Sequence, residues 1–245
     1  MNIYPQNFSS PFKPNSLSDF VISNAASKEH LEAIVNGKLP FPLFGKNCIC
    51  LWGTYGTGKS TLALLLPQLL EQTANLIGSS RSSKLFQSAT YWELTECASG
   101  MNSVNMLTDL NTRCKSMSAM SPSGWHYEIL DEVDNLTIAA QASLKTAITF
   151  ANSTIFIITT NHPSKLDAGL KDRSILIEMN QPKAIDCVPL AKSFFRKMGL
   201  KGDEVPEEVF AGLATASRGS LREFGTAVAT LGISYGGTLA YLSIK

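Results

Sequence analysis

The segment "LWGTYGTGKST", residues 51–61, places three glycines, a lysine and a hydroxyl at chemically meaningful intervals. Gly53-x-x-x-x-Gly58-Lys59-Ser60 has the spacing G-x-x-x-x-G-K-[ST]. A polyphosphate must lie against backbone N–H groups, and glycines allow the curled path and close approach that this needs. A helix beginning at the lysine directs its positive end at the same anion. Lys59 can then reach the outer phosphates, and the Ser60 hydroxyl can ligate Mg2+. The expected nucleotide contacts are Gly53, Thr54, Tyr55, Gly56, Thr57, Gly58, Lys59, Ser60 and Thr61. The competing reading is a glycine-rich turn with an incidental lysine, but an apolar run precedes the segment and a helical pattern follows it.

Such a site needs its metal held from a second strand. "YEILDEVDN" (127–135) ends a strand pattern in Asp131 and Glu132. Asp131 is expected to hold Mg2+, and Glu132 to orient and polarise an attacking water. An acidic pair after a strand is common by itself; the preceding phosphate loop favours function. Asp134 reads as a cap or turn residue. "IFIITTNHP" (155–163) ends another apolar strand in Asn161, whose amide could orient water, although an Asn/Pro turn would look the same. Arg173 and Arg222 are planar cations of the kind that stabilise charge building on a phosphoryl group. Singly, either reads equally as a surface or ion-pairing residue.

These residues need elements to hold them. Strand patterns are "NCICLW" (47–52), "ATYWELT" (89–95), "WHYEILD" (125–131), "TIFIITT" (154–160) and "SILIEM" (174–179). Helical patterns are 27–38, 59–72, 104–117 and 137–151, with Pro67 weakening or kinking the second. Residues 1–16 read as irregular and 74–88 as a Ser-rich loop. Strands alternate with helices, and several strands are apolar throughout, as in a parallel sheet covered on both faces. After about residue 183 only short helices are predicted, the last within 237–244. The expected architecture is an α/β domain over 1–182 followed by a small all-α domain over 183–245.

Composition narrows the classes. Hydrophobic residues make up 44% and charged residues 17%, which excludes a disordered chain. The net charge of +1 means that nucleic-acid contact must come from a local patch. Arg81, Lys84, Arg113 and Lys115 are candidates for one, with solvated surface charge as the alternative. Five cysteines without C-x-x-C spacing argue against a disulfide framework or zinc site, and Cys48 and Cys50 read as small buried residues. The N-terminus lacks a signal-peptide core and no run has membrane-span length, so a soluble, cytoplasmic protein is expected.

Taken in order, the motifs resemble those of AAA+ ATPases, and among them the clamp-loader small subunits of replication factor C type. "PFKPNSLSDFVISN" (11–24) is similar to the family's N-terminal box, "GTYGTGKST" to its Walker A, and "ILDEVDNLTIAAQASLKTAI" (129–148) to its Walker B with the following helix. "TTNHPSKLDAGLKDRS" (159–174) resembles sensor 1 running into the arginine-finger motif. "ASRGSLREFGTAVATLG" (216–232) resembles sensor 2 in a helical lid. The resemblance implies an AAA+ P-loop NTPase fold, with a parallel sheet flanked by helices and the lid behind it. It implies ATP and Mg2+ as cofactors, Asn161 as sensor 1, Arg222 as sensor 2, and Phe20 and Val21 near the adenine. It also implies that Arg173 acts on ATP bound by a neighbouring subunit.

Departures from the family pattern are Asp172-Arg173-Ser174 at the finger, Ser220 before Leu221-Arg222, and Tyr55 in the P-loop. The family's C-terminal collar has no counterpart in this sequence. The resemblance favours an oligomeric, ATP-dependent machine of DNA replication, clamp-loader-like, gripping DNA or a replication partner such as a sliding clamp, whereas the missing collar favours the alternatives. A helicase loader, or a transposition or initiation regulator forming filaments on DNA, is the alternative, with a replicative helicase as possible partner. A nucleotide-dependent scaffold is a further class, against which Glu132 argues. Remodelling of proteins alone finds no aromatic pore motif, Tyr91 and Trp92 reading as core aromatics. A GTPase would need an Asn-Lys-x-Asp segment.

Overall fold

A computed structural model describes residues 13–77, 92–97, 108–110, 112–114, 123–151 and 153–237. Arg81, Lys84, Tyr91 and Lys115, the 74–88 loop beyond residue 77, and the helix expected in 237–244 lie outside the described residues. So does much of the 104–117 helix; its described parts, 108–110 and 112–114, are helical.

The chain divides into two compact units. The larger comprises Asn24–Thr54 and Lys59–Asn180 and carries a five-stranded sheet. Its strands are β1 (Cys48–Trp52), β2 (Trp92–Glu96), β3 (His126–Asp131), β4 (Thr154–Thr160) and β5 (Ser174–Glu178). Every pairing is parallel, in the order β2-β3-β4-β1-β5. The three central strands have almost no exposed side chain, which is why they read as continuous apolar runs. The helices are α1 (Ala25–Val35), α2 (Lys59–Ile77), α3 (Ile138–Phe150) and α4 (Ala168–Asp172). Cys48 and Cys50 are free, fully buried, and belong to one apolar cluster with Leu130, Phe156, Leu144 and Leu170.

Pro67 does not stop α2, which continues to Ile77. A proline in a helix interior costs about 3 kcal/mol. Leu62, Leu65, Leu66, Leu69 and Leu70 are all buried around it, and their burial, at about 1.5–3 kcal/mol for each side chain, outweighs that cost.

The second unit gathers the described residues before Asn24, the P-loop tip Tyr55–Gly58, and those from Gln181 onward. Its helices are α5 (Val188–Lys197), α6 (Glu207–Ala216) and α7 (Leu221–Ser234). They close on Val188, Ala191, Phe195, Phe210, Phe224 and Val228. Phe195 and Phe210 meet edge-to-face, their centroids 5.1 Å apart.

Candidate nucleotide site

The loop after β1 opens with a close approach. A Cβ on Gly53 would lie 2.3 Å from the Met179 carbonyl oxygen, so only glycine fits beside the end of β5. The Thr54 amide donates to Asn180 Oδ1 at 3.2 Å, and Asn180 Nδ2 donates to Glu178 Oε1 at 2.7 Å. Asn24, the N-cap of α1, donates from Nδ2 to the other Glu178 oxygen at 2.7 Å. The start of the P-loop is thus tied to β5 and α1. Gly56 and Gly58 then take φ of 75° and 90°, the left-handed path that curls the loop into α2.

Lys59 is the first residue of α2 and is buried. Its Nζ donates to the carbonyls of Gly53, at 3.0 Å, and Thr54, at 2.6 Å, bridging the loop's entrance and exit. Burial lowers the Lys59 pKa, opposed by the charges of Asp131, Asp134 and Glu132. Ser60 Oγ donates to Asp131 Oδ1 at 2.9 Å. A hydroxyl and a carboxylate oxygen so placed fit a Mg2+-polyphosphate: Mg2+ takes hard oxygen donors and keeps few protein ligands.

Thr159, near the end of β4, completes the cluster. It is buried; its hydroxyl donates to Asp131 Oδ1 and accepts the Glu132 amide at 3.0 Å. Glu132 has φ of 57°, uncommon for a residue with a Cβ. Its Oε2 accepts from Asn135 Nδ2 at 3.2 Å. Asp134 lies in the short helical turn Val133–Asn135. Its Oδ1 accepts from the Thr160 hydroxyl at 2.9 Å and the Asn161 amide at 3.2 Å, so it clamps the end of β4 and fixes the backbone of Asn161.

Arg173 is the C-cap of α4 and stands immediately before β5. Its Nε donates to Thr149 Oγ1 at 2.7 Å and its Nη1 to the Gly169 carbonyl at 3.1 Å. In the β1–β5 register Cys48 faces Ser174 and Trp52 faces Glu178. Arg173 therefore lies at the N-terminal end of these strands and Gly53 at the C-terminal end. At the rise of a parallel strand the two are about 20 Å apart, beyond the reach of one side chain.

In the helical unit, Phe20 ring carbons lie 3.6 and 3.7 Å from where a Cβ on Gly58 would sit. Val21 follows it, half-buried. The Leu221 amide donates to the Gly56 carbonyl at 2.9 Å, and Ser220 caps α7. Arg222 is the next residue, exposed in the first turn of α7.

Arg113 departs from both readings considered for it. It is neither a solvated cation nor a free phosphate contact: Nε lies 2.8 Å from Glu93 and 2.9 Å from the fully buried Glu128. Burial of Glu128 demands a partner charge, and Arg113 supplies it. Trp92 is half-buried at an edge strand. Thr159, Asn180 and Asp134's clamp were not identified from sequence. The hydroxyl pair "TT" before Asn161 was the available signal.

The family model "ATPase family associated with various cellular activities (AAA)" matches residues 49–179, more than half of the chain. The chain belongs to the AAA family. It is 27% identical over 176 residues to replication factor C small subunit 2 of Pyrobaculum islandicum, covering 69% of this chain and 47% of that protein. It is 24% identical over 217 residues to the replication factor C small subunit of Thermoplasma acidophilum, covering 86% of this chain and 59% of that protein. The chain thus spans about half the length of the curated relatives it matches. Among solved structures, the Thermotoga maritima RuvB Holliday junction branch migration motor superposes with a TM-score of 0.61 at 17% identity, covering 94% of this chain and 69% of that one. A second RuvB structure from the same organism, of a point variant, gives 0.63 at 18%, covering 89% of this chain and 64% of that one. Both show the fold. Among the described residues no helix is long and apolar enough to cross a membrane.

Proposed function

We propose that the chain binds ATP with Mg2+, hydrolyses it as an oligomer, and acts on DNA in replication in the manner of a clamp loader. The observation that carries the ATPase reading is the joining of Ser60, Asp131 and Thr159 beside Lys59. Mg2+ would supply charge neutralisation to the phosphates, held by Ser60 and Asp131. Lys59 exchanges its two loop carbonyls for phosphate oxygens. Glu132, aimed by its strained backbone, takes a proton from the attacking water, and Asn161 orients that water. Phe20 and Val21 flank the adenine, and Arg222 contacts phosphate. The α/β region to about 182 does the chemistry, with the helices after it as lid.

The strand register supports the oligomer. Arg173 lies about 20 Å along the strands from its own chain's Gly53, beyond the reach of its side chain, so it serves ATP held by a neighbour. Similarity to replication factor C small subunits supports DNA and a sliding clamp as partners, a replicative helicase being the alternative cargo.

The test is steady-state ATP turnover against protein concentration, with and without primed DNA. Turnover per chain is expected to rise with concentration and with DNA. Glu132→Gln is expected to lower it about 100-fold, the usual share of a general base, while ATP still binds. ATP binding with negligible turnover in every condition would instead mark a nucleotide-dependent scaffold.

A further inference from the structure

We infer that Glu178, the last residue of β5, is a positioning residue for the nucleotide loop: through Asn180 it fixes the Thr54 amide, and so sets how tightly the loop takes a polyphosphate. This rests on the reading that the loop binds ATP, and it names what holds the loop in shape before ATP arrives.

The hydrogen bonds form one line, all of it within the larger unit. The Thr54 amide donates to Asn180 Oδ1 at 3.2 Å, and Asn180 Nδ2 donates to Glu178 Oε1 at 2.7 Å. On the other side, Asn24 Nδ2 donates to Glu178 Oε2 at 2.7 Å, while Asn24 Oδ1 accepts the Ser27 amide at 2.9 Å and so caps α1. The amide of Glu178 itself donates to the Ser27 hydroxyl at 2.9 Å, which fixes the strand end against the first turn of the same helix. At the loop end of the line, the Thr54 carbonyl accepts Lys59 Nζ at 2.6 Å.

Each asparagine has its side-chain carbonyl bonded to a backbone N–H, so each turns only donors toward residue 178. Two donors need two acceptors. An ionised carboxylate accepts and never donates, which makes it the side chain that holds both amides the right way round. A glutamine there would offer one acceptor and one donor. One asparagine would then face it donor to donor, or would turn over and lose its backbone partner. Asn24 is held by the shorter backbone bond, so Asn180 is the one that turns, and the Thr54 amide loses its acceptor.

The consequence falls on binding. In the proposed mechanism Lys59 leaves the Thr54 carbonyl for phosphate. Asn180 stays bonded to the Thr54 amide and keeps the loop entrance ordered through that exchange. An ordered loop loses less freedom when the phosphates arrive, so affinity is higher. Glu132 follows β3 and Asn161 follows β4, so the chemical step at saturating ATP does not depend on the end of β5. Charge alone would act the other way: a carboxylate repels a polyphosphate, and removing it would tighten binding.

The experiment compares wild type, Glu178→Gln, Asn180→Asp and the double variant carrying both, as full chains with Mg2+. ATP affinity is measured by calorimetric titration and kcat by steady-state turnover, at a temperature below every unfolding midpoint. Glu178→Gln should bind ATP about 3- to 10-fold more weakly, the effect of one hydrogen bond, with kcat within about twofold of wild type. Asn180→Asp sets two carboxylates face to face and should weaken binding at least as much. In the double variant the carboxylate at 180 accepts both the Thr54 amide and the side-chain amide at 178, whose oxygen accepts Asn24. Every donor again meets an acceptor, and affinity should return to within about twofold of wild type. If Glu178→Gln binds ATP as tightly as wild type or more tightly, or if the double variant stays as weak as the single ones, Glu178 does not position the loop and the ATPase reading stands. If wild type itself takes no ATP, the nucleotide reading falls and this inference with it.

Discussion

Thr159 makes two bonds that the proposed acid pair, Asp131 and Glu132, would need. One holds the Asp131 carboxylate; the other holds the Glu132 amide, and with it a backbone of unfavourable φ. Removing a hydrogen bond to a charged group typically costs about 1.5–3 kcal/mol. If that cost falls on the transition state, Thr159→Val should lower kcat about 10- to 100-fold. It should also raise the Mg2+ concentration for half-maximal turnover, and Thr159→Ser should restore most of both. Equal kinetics for Val and wild type would remove Thr159 from the site. Lys59, Ser60 and Asp131 could be read from sequence because their chemistry is written into local spacing. Thr159 and Asn180 could not, because their partners are 28 and 126 residues away and the sequence gives no register between strands.

At the scale of elements, the strands were legible because burial on both faces leaves an uninterrupted apolar run. Their order was not, since nothing local says that β1 lies between β4 and β5. The connection carrying Arg173 shows how side chains do this ordering. Gln141, buried in α3, donates to the Leu136 and Lys165 carbonyls and accepts the Asp167 amide at 2.8 Å. Asp167 in turn caps α4 through the Leu170 amide and pairs with Lys145. Gln141→Leu strands the Asp167 amide and should destabilise the protein by about 1–3 kcal/mol, measured by urea unfolding. Asp167→Ala should cost about 1 kcal/mol for the lost cap. The Lys145 hydrogen bond, aided by the Leu170 amide, holds the Asp167 pKa below its ordinary 3.8 against desolvation. A carboxylate depressed on folding stabilises above the unfolded pKa and loses that contribution as pH falls through the folded one. The urea-midpoint gap between wild type and Asp167→Asn should therefore be full above about pH 4–5 and shrink as pH drops further.

On the scale of the whole molecule, the sheet and the helical unit were both anticipated. Membership was not: the P-loop tip Tyr55–Gly58 groups with the helical unit, because Gly56 bonds Leu221 and Gly58 lies by Phe20. Motif order in the sequence carries no such contact. If Arg173 serves a neighbour's ATP as proposed, its placement at the opposite end of the parallel strands from Gly53 would leave one chain an incomplete enzyme and make two chains a complete one. Mixing two inactive variants tests this most directly. Arg173→Ala keeps Glu132 but lacks the cation its neighbour needs; Glu132→Gln keeps the cation but lacks the base. Each alone should turn over ATP slowly at every concentration. Mixed in equal amounts, they should recover a substantial fraction of wild-type turnover, because one interface then holds an intact Glu132 and an intact Arg173. A mixture no faster than the mean of its two components, at concentrations where wild type is fully active, would contradict the shared site.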